Sequence, residues 1–182
     1  MEPSDADLVR QCLEGDNSGF DLIVKRYQKQ VLGLCYRILG DADQAADAAQ
    51  ESFVKAYRTL NRFRQDASFL SWLYRIASNT CIDLTRSRKR RQADPLGQAV
   101  AGARNSPPEE AVVKAQTSRL VHRAVLSLPM RYRLPLVMFY FGEMKIREIS
   151  ASLGRPEGTV KSDLHIARRM LRRKLKGVVV EI

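Results

Sequence analysis

Cysteine is scarce in this 182-residue chain: Cys12, Cys35 and Cys81 are odd in number and widely spaced. No Cys-x-x-Cys pair occurs, and only His122 and His165 could complement the thiols. Neither a disulfide framework nor a zinc site is therefore expected, and the cysteines read as small packing residues. Long apolar runs are missing too. The run from Leu134 to Phe141 is far short of the ~18 residues a membrane span requires. The amino terminus, Met1-Glu2-Pro3-Ser4-Asp5, is acidic and polar where an export signal would be basic and then apolar, so a cytoplasmic protein is expected. There is no glycine-rich phosphate loop, no histidine with a metal-ligand partner at helical spacing and no nucleophile beside an obvious base. The expectation is a protein with no catalytic residues, no metal and no cofactor.

Acidic residues are the other shortage: 20 Asp and Glu stand against 31 Lys and Arg, a net charge of +11. A 45% hydrophobic, 28% charged composition is that of a globular chain, long enough for two small domains. The excess is localised. Residues 1 to 85 hold 10 basic and 12 acidic side chains, a net of −2, whereas Arg86 to Arg91 alone add +5. Residues 92 to 182 hold 16 basic and 8 acidic, and Arg155 to Lys176 supply +6 of that +8. Two basic elements suit a polyanion held at two places. An anionic membrane fits poorly, because neither element carries a broad apolar face with exposed Trp or Phe.

Hydrophobic periodicity makes the chain all-α. Leu8, Val9, Cys12 and Leu13 open a first helix, closed at Gly15-Asp16-Asn17. Phe20, Ile23, Val24, Tyr27, Val31, Leu34, Cys35, Ile38 and Leu39 recur at three- and four-residue steps up to Gly40. Asp41 is placed to cap the next helix in a capping box with Gln44. Its inward stripe reads as Ala45, Ala46, Ala49, Phe53, Ala56, Tyr57 and Leu60, leaving Asp43, Asp47, Gln50, Glu51 and Lys55 outside. Phe69, Trp72, Leu73, Ile76 and Ala77 form a short helix with Asn79 and Thr80 at its end. Periodicity then disappears from Gln92 to Pro108, a linker that separates domains 1–91 and 109–182.

Helix resumes at Glu109-Glu110, with Val112, Val113, Leu120, Val121, Val125 and Leu126 as candidate core. Leu128-Pro129 starts another helix, in which Pro135 predicts a kink or a late start. Ile146, Ile149 and Leu153 then lie on one short helix, Gly154-Arg155-Pro156 forms a turn, and Val160, Leu164, Ala167, Leu171 and Leu175 mark a second helix. That order is a helix-turn-helix, and Lys161, His165, Arg168, Arg169 and Arg172 lie off its apolar stripe, as a DNA-binding helix requires.

Taken together, these segments resemble a bacterial RNA polymerase sigma factor of the extracytoplasmic-function group. The motifs are Asp47-Ala48-Ala49-Gln50-Glu51-Ser52-Phe53-Val54-Lys55-Ala56-Tyr57, Phe63-Arg64-Gln65-Asp66-Ala67-Ser68-Phe69 and Trp72-Leu73-Tyr74-Arg75-Ile76-Ala77-Ser78-Asn79. Leu128-Pro129, Tyr132-Arg133, Glu148-Ile149 and Pro156-Glu157-Gly158-Thr159-Val160-Lys161-Ser162 follow in order. The resemblance implies two helical domains, regions two and four of the family, and promoter-specific initiation with core RNA polymerase. It places Asp47, Gln50 and Glu51 on the clamp helices of the β′ subunit, with a further contact to the β flap. Phe63, Arg64, Ser68 and Asn79 would read the minus-ten element, where an amide beside an aromatic suits a flipped base, and Arg86 and Arg88 would contact nearby duplex. Lys161, Ser162 and His165 would read the minus-thirty-five element, with Arg168 and Arg169 on phosphate. The resemblance also implies an anti-sigma partner and a free monomer.

Three positions depart from the family pattern. Gln65 stands where glycine is common, while Asp163 and Ile166 stand where Arg often does. As base readers, Asp163 would accept from a cytosine amine and Ile166 would touch a thymine methyl. A helix-turn-helix repressor or activator is the rival reading, but it gives no role to the acidic face around Asp47 or to the Trp72 to Asn79 element.

Overall fold

A computed structural model describes residues 3–64, 68–92 and 112–175. Eight α-helices and no strand occur among them: α1 (Asp5–Leu13), α2 (Ser18–Leu39), α3 (Ala42–Arg58), α4 (Phe69–Gln92), α5 (Val112–Leu126), α6 (Met130–Tyr140), α7 (Ile146–Leu153) and α8 (Glu157–Leu175), with a 3₁₀ turn at Leu60–Arg62.

Helix α1 lies against α2, and Gly19 is what allows the approach: a Cβ there would stand 2.7 Å from the Leu8 carbonyl oxygen. Asp5 ties the pair together, accepting from Arg26 Nη1 and from the Tyr27 hydroxyl, each at 2.5 Å. Burial, and then the Asp5 carboxylate, push the Tyr27 phenol up to about 12. Helices α2, α3 and α4 pack on one another around Ile23, Leu34, Ile38 and Leu73, all fully buried. On α3 the inward stripe is Ala45, Ala48, Ala49, Ser52, Phe53 and Ala56. Ala46 and Tyr57, expected inside, are exposed. Ser52 is accepted in the core because its hydroxyl donates to the Ala48 carbonyl at 2.5 Å.

Asp41 caps α3, accepting from Gln44 N–H at 3.0 Å. The expected reciprocal bond is absent, since the Gln44 side-chain oxygen accepts from Arg88 instead. Helix α4 is longer than its periodicity suggests. It runs unbroken through Asn79, Thr80 and the basic run to Gln92, so Asn79 is neither at a helix end nor a cap. Buried Thr80, Cys81 and Ile82 continue its inner face, and Lys55 Nζ reaches the Thr80 hydroxyl at 3.3 Å. Cys35 and Cys81 are buried free thiols, and hydrogen bonding to Cys35 together with burial pushes the Cys81 thiol up, away from ionisation.

In the second half, α6, α7 and α8 pack together with α5 laid on α8. Leu120, read as core, is exposed, whereas Val125 is buried. Helix α6 begins at Met130 with Pro135 enclosed within it, so there is no late start. The second half also rests on α2: the His122 ring stacks on Tyr36, Arg37 lies 4.4 Å above the centre of the Phe141 ring, and Leu126 Cδ2 approaches within 3.2 Å of where a Gly40 Cβ would stand. The expected linker beyond Gln92, Gln65, Glu109, Glu110, and the side chains of Val112 and Val113 lie outside the described residues.

Candidate nucleic-acid interface and docking face

The helix-turn-helix is built by three local devices. Lys145 N–H donates to Glu148 Oε2 at 2.8 Å and starts α7. Gly154, at φ 62°, takes the left-handed conformation that ends it, a conformation glycine adopts without steric cost. The Ser150 hydroxyl then donates to the Arg155 carbonyl at 2.5 Å, closing the turn before α8. Ile149 and Leu153 of α7 meet Val160, Leu164 and Ala167 of α8 in a dry seam. Lys161, Ser162, His165, Arg168, Arg169 and Arg172 are consequently exposed along the opposite side. Arg168 is braced, its Nε donating to the Tyr140 hydroxyl at 2.8 Å.

Asp163 corrects the reading of it as a base contact. It belongs to the buried stripe of α8 and is only 1% exposed. Arg131 Nε donates to its Oδ1 and Arg155 Nη1 to its Oδ2, each at 3.1 Å. Both oxygens are engaged inside the protein, so neither is offered to a cytosine. Ile166 is half-buried.

On α3, the i, i+3, i+4 spacing places Asp47, Gln50 and Glu51 on one exposed face. Glu51 pairs with Lys55 at 2.8 Å, a surface ion pair of little energetic weight. Gln50 also lines a groove of about 600 Å³ between α2 and α3, walled by Phe20, Val24, Phe53, Val54 and Tyr57. Leu32, Val54 and Tyr57 are each more than 40% exposed. Sequence periodicity does not reveal this groove, because it assigns Tyr57 to the core.

The residues expected to read single-stranded DNA are distributed along α4 and the segment before it. Phe63 is held in an aromatic cluster, 5.2 Å from Phe69 and 5.3 Å from Trp72 between ring centres. Arg64 and Ser68 are exposed, and the Ser68 hydroxyl accepts from Ser71 N–H at 3.2 Å. Asn79 is not beside this cluster. It lies ten positions beyond Phe69 and seven beyond Trp72 on α4, roughly 15 and 10 Å of helical rise. Its side chain is half-buried, with Oδ1 enclosed and lacking a hydrogen-bond partner among the described residues. Arg86 and Arg88 are exposed near the other end of α4. Among the described residues no cluster of His, Cys, Asp or Glu could hold a metal, and no helix is long and apolar enough to cross a membrane.

Residues 23–91 match the family model for sigma-70 region 2, and residues 118–171 that for sigma-70 region 4. The chain is 37% identical to the ECF RNA polymerase sigma factor SigW of Bacillus subtilis, over 93% of this chain and 96% of that one. It is 35% identical to the RNA polymerase sigma-H factor of Pseudomonas aeruginosa, over 99% and 98% respectively. In fold it is similar to the sigma factor RpoE of Bartonella quintana, solved in complex with the anti-sigma factor NepR, at a TM-score of 0.70, 21% identity and coverage of 90% of this chain and 98% of that one. It is similar also to CnrH in complex with the cytosolic domain of CnrY, at a TM-score of 0.62, 23% identity and coverage of 96% and 99%. Two region models in order and full-length relatives above 30% identity are decisive: the chain belongs to the extracytoplasmic-function RNA polymerase sigma factors, proteins that direct promoter-specific transcription initiation.

Proposed function

We propose that this chain docks on the β′ clamp helices of core RNA polymerase through Asp47, Gln50 and Glu51, with a second contact to the β flap, and that each domain reads one promoter element. Domain 1–91 reads the minus-ten element through Phe63, Arg64, Ser68 and Asn79, while Arg86 and Arg88 hold adjacent duplex. Domain 109–182 reads the minus-thirty-five element through Lys161, Ser162 and His165, with Arg168 and Arg169 on phosphate. The observation that carries the reading is the division of α8 into a buried stripe and an exposed basic face within a region-4 match.

Energetics make it a specificity subunit. Stacking averages ~1.4 kcal/mol per step, so opening about a dozen pairs costs more than roughly ten kcal/mol, and the polymerase supplies most of that. Geometry adds that the two halves separate to act. The two elements lie about 25 base pairs apart, roughly 85 Å of duplex, whereas a single packed body of this length has a radius of gyration of only about 16 Å. Residues 93–111 reach roughly 65 Å when extended, which permits the separation. An anti-sigma protein covering the docking face would oppose it. The protein works in the cytoplasm, with the polymerase, as a monomer until it binds.

Run-off transcription with purified core polymerase tests this reading. Initiation from a cognate promoter that requires the chain supports it; failure to bind core enzyme, together with tight duplex binding by the free protein, would identify a simple helix-turn-helix regulator instead.

A further inference from the structure

We infer that Asp163, Arg155 and Arg131 form a preset phosphate clamp beside the reading helix, in which Asp163 is a positioning residue and the two guanidiniums are the groups that grip the DNA backbone. The inference rests on the reading of domain 109–182 as a binder of promoter duplex.

A carboxylate in the buried stripe of a helix that approaches a polyanion needs a reason. Its neighbours in that stripe are Val160, Leu164 and Ala167, so it sits in a dry seam and is tolerated only because both oxygens accept charged hydrogen bonds. One arginine would neutralise it. Two leave a net positive charge, placed where α6 and the turn converge on the start of α8: Arg131 is the second residue of α6, and Arg155 precedes α8 by two residues. The negative charge is hidden at 1% exposure while the Arg131 side chain is 61% exposed and that of Arg155 33%.

Proline supplies the second anchor. Pro135 has no N–H to give to the carbonyl four residues earlier, which is that of Arg131. Arg155 Nη1 donates to that freed oxygen at 3.3 Å as well as to Asp163. Among the described residues Arg155 is thus fixed by two acceptors through one nitrogen, with no acceptor at Nε or Nη2; Arg131 is fixed through Nε, with no acceptor at either terminal nitrogen and its guanidinium carbon 5.7 Å from the centre of the Tyr132 ring. Planar forks held in one orientation with their outer N–H groups open are suited to phosphate oxygens, and such contacts set the register in which neighbouring side chains meet bases.

The test is the salt dependence of holoenzyme binding, using the full chain, core polymerase and a promoter duplex with an intact or scrambled upstream element. R155A and R131A should each weaken binding several-fold and lower the slope of log K against log salt by about one, leaving base preference intact. D163N provides the sharper sign. It removes a negative charge, so bulk electrostatics demands tighter binding and a steeper slope; release of the clamp gives weaker binding and a shallower slope. Melting temperatures are measured alongside, and R131A/R155A/D163N, which leaves no unpaired carboxylate in the seam, should fold and yet bind no more tightly than R155A. Tighter binding by D163N, wild-type binding by the folded R131A/R155A/D163N, or slopes unchanged in both R155A and R131A would overturn the clamp. Wild-type binding indifferent to the upstream element would instead overturn the reading of the whole domain, and the clamp with it.

Discussion

The His122 imidazole of α5 lies flat against the Tyr36 ring of α2, centroids 4.8 Å apart and planes 16° from parallel, so an aromatic stack joins the two halves of the chain. Burial, followed by the neighbouring Arg37 and Arg133 guanidiniums, holds the His122 imidazole below its ordinary value. Packing therefore disfavours the proton. The stack is at full strength above the ordinary value of about 6.5 and weakens as pH falls from there through the lowered value, because the separated halves bind the proton more readily. Small-angle scattering should show a larger radius of gyration at pH 5.5 than at pH 7.5, with H122F abolishing the change. A radius independent of pH in the wild type would contradict this.

Asp47 and Glu51 stand in solvent on α3, and the Glu51–Lys55 pair contributes at most about 1 kcal/mol to stability. Charge reversal, as in D47K combined with E51K, should leave the melting temperature within a few degrees of the wild type. Core-polymerase affinity should fall at least tenfold, since acceptors for a partner's Arg and Lys become repulsive donors. Unchanged affinity in a pull-down titration would remove this face from the docking surface.

Asn79 carries an enclosed amide oxygen with no partner among the described residues, so N79A gives up no hydrogen bond to them through that oxygen and should cost under about 1 kcal/mol of stability. Run-off transcription should fall sharply while core binding is retained. Parallel loss of both would assign Asn79 a structural role.

Lys161 is exposed and pairs with no carboxylate among the described residues, so K161A should not alter the melting temperature. Discrimination at one position of the upstream element should fall by about 1–3 kcal/mol if the residue reads a base. Loss that is equal across sequences, with a shallower salt slope, would place it on phosphate instead. The fully buried Leu73 provides the contrast: L73A should cost about 2–5 kcal/mol of stability and lower every activity together.

Much of this architecture is legible in the pattern of apolar residues, and the reasons for the failures are specific. In α3 an alanine-rich stretch offers little contrast between faces, so Ala46 and Tyr57 are read inward while Ala48 and Ser52 take those places. In α4 the polar pair Asn79-Thr80 looks like an end, yet Thr80 is buried beside Lys55 and the helix continues. Asp163 was open to inference from spacing, three residues after Val160 and four before Ala167, which places it in the stripe. Its charge points the other way, because the cations that permit burial come from α6 and from the turn. A freed carbonyl on Arg131 also follows from Pro135, but its partner, Arg155, requires the fold. The groove between α2 and α3 and the Tyr36–His122 stack arise from elements brought together across the chain, which local periodicity does not report.

If the proposed function holds, one chain reads two separated promoter elements only as part of the polymerase. Footprinting at single-base resolution on a cognate promoter decides this. The holoenzyme should give two protected blocks about 25 base pairs apart and the free protein none, with the upstream block weakened by K161A and strand opening at the downstream block reduced by N79A. Protection of the same duplex by the free protein at equal concentration, or a single block with the holoenzyme, would contradict it.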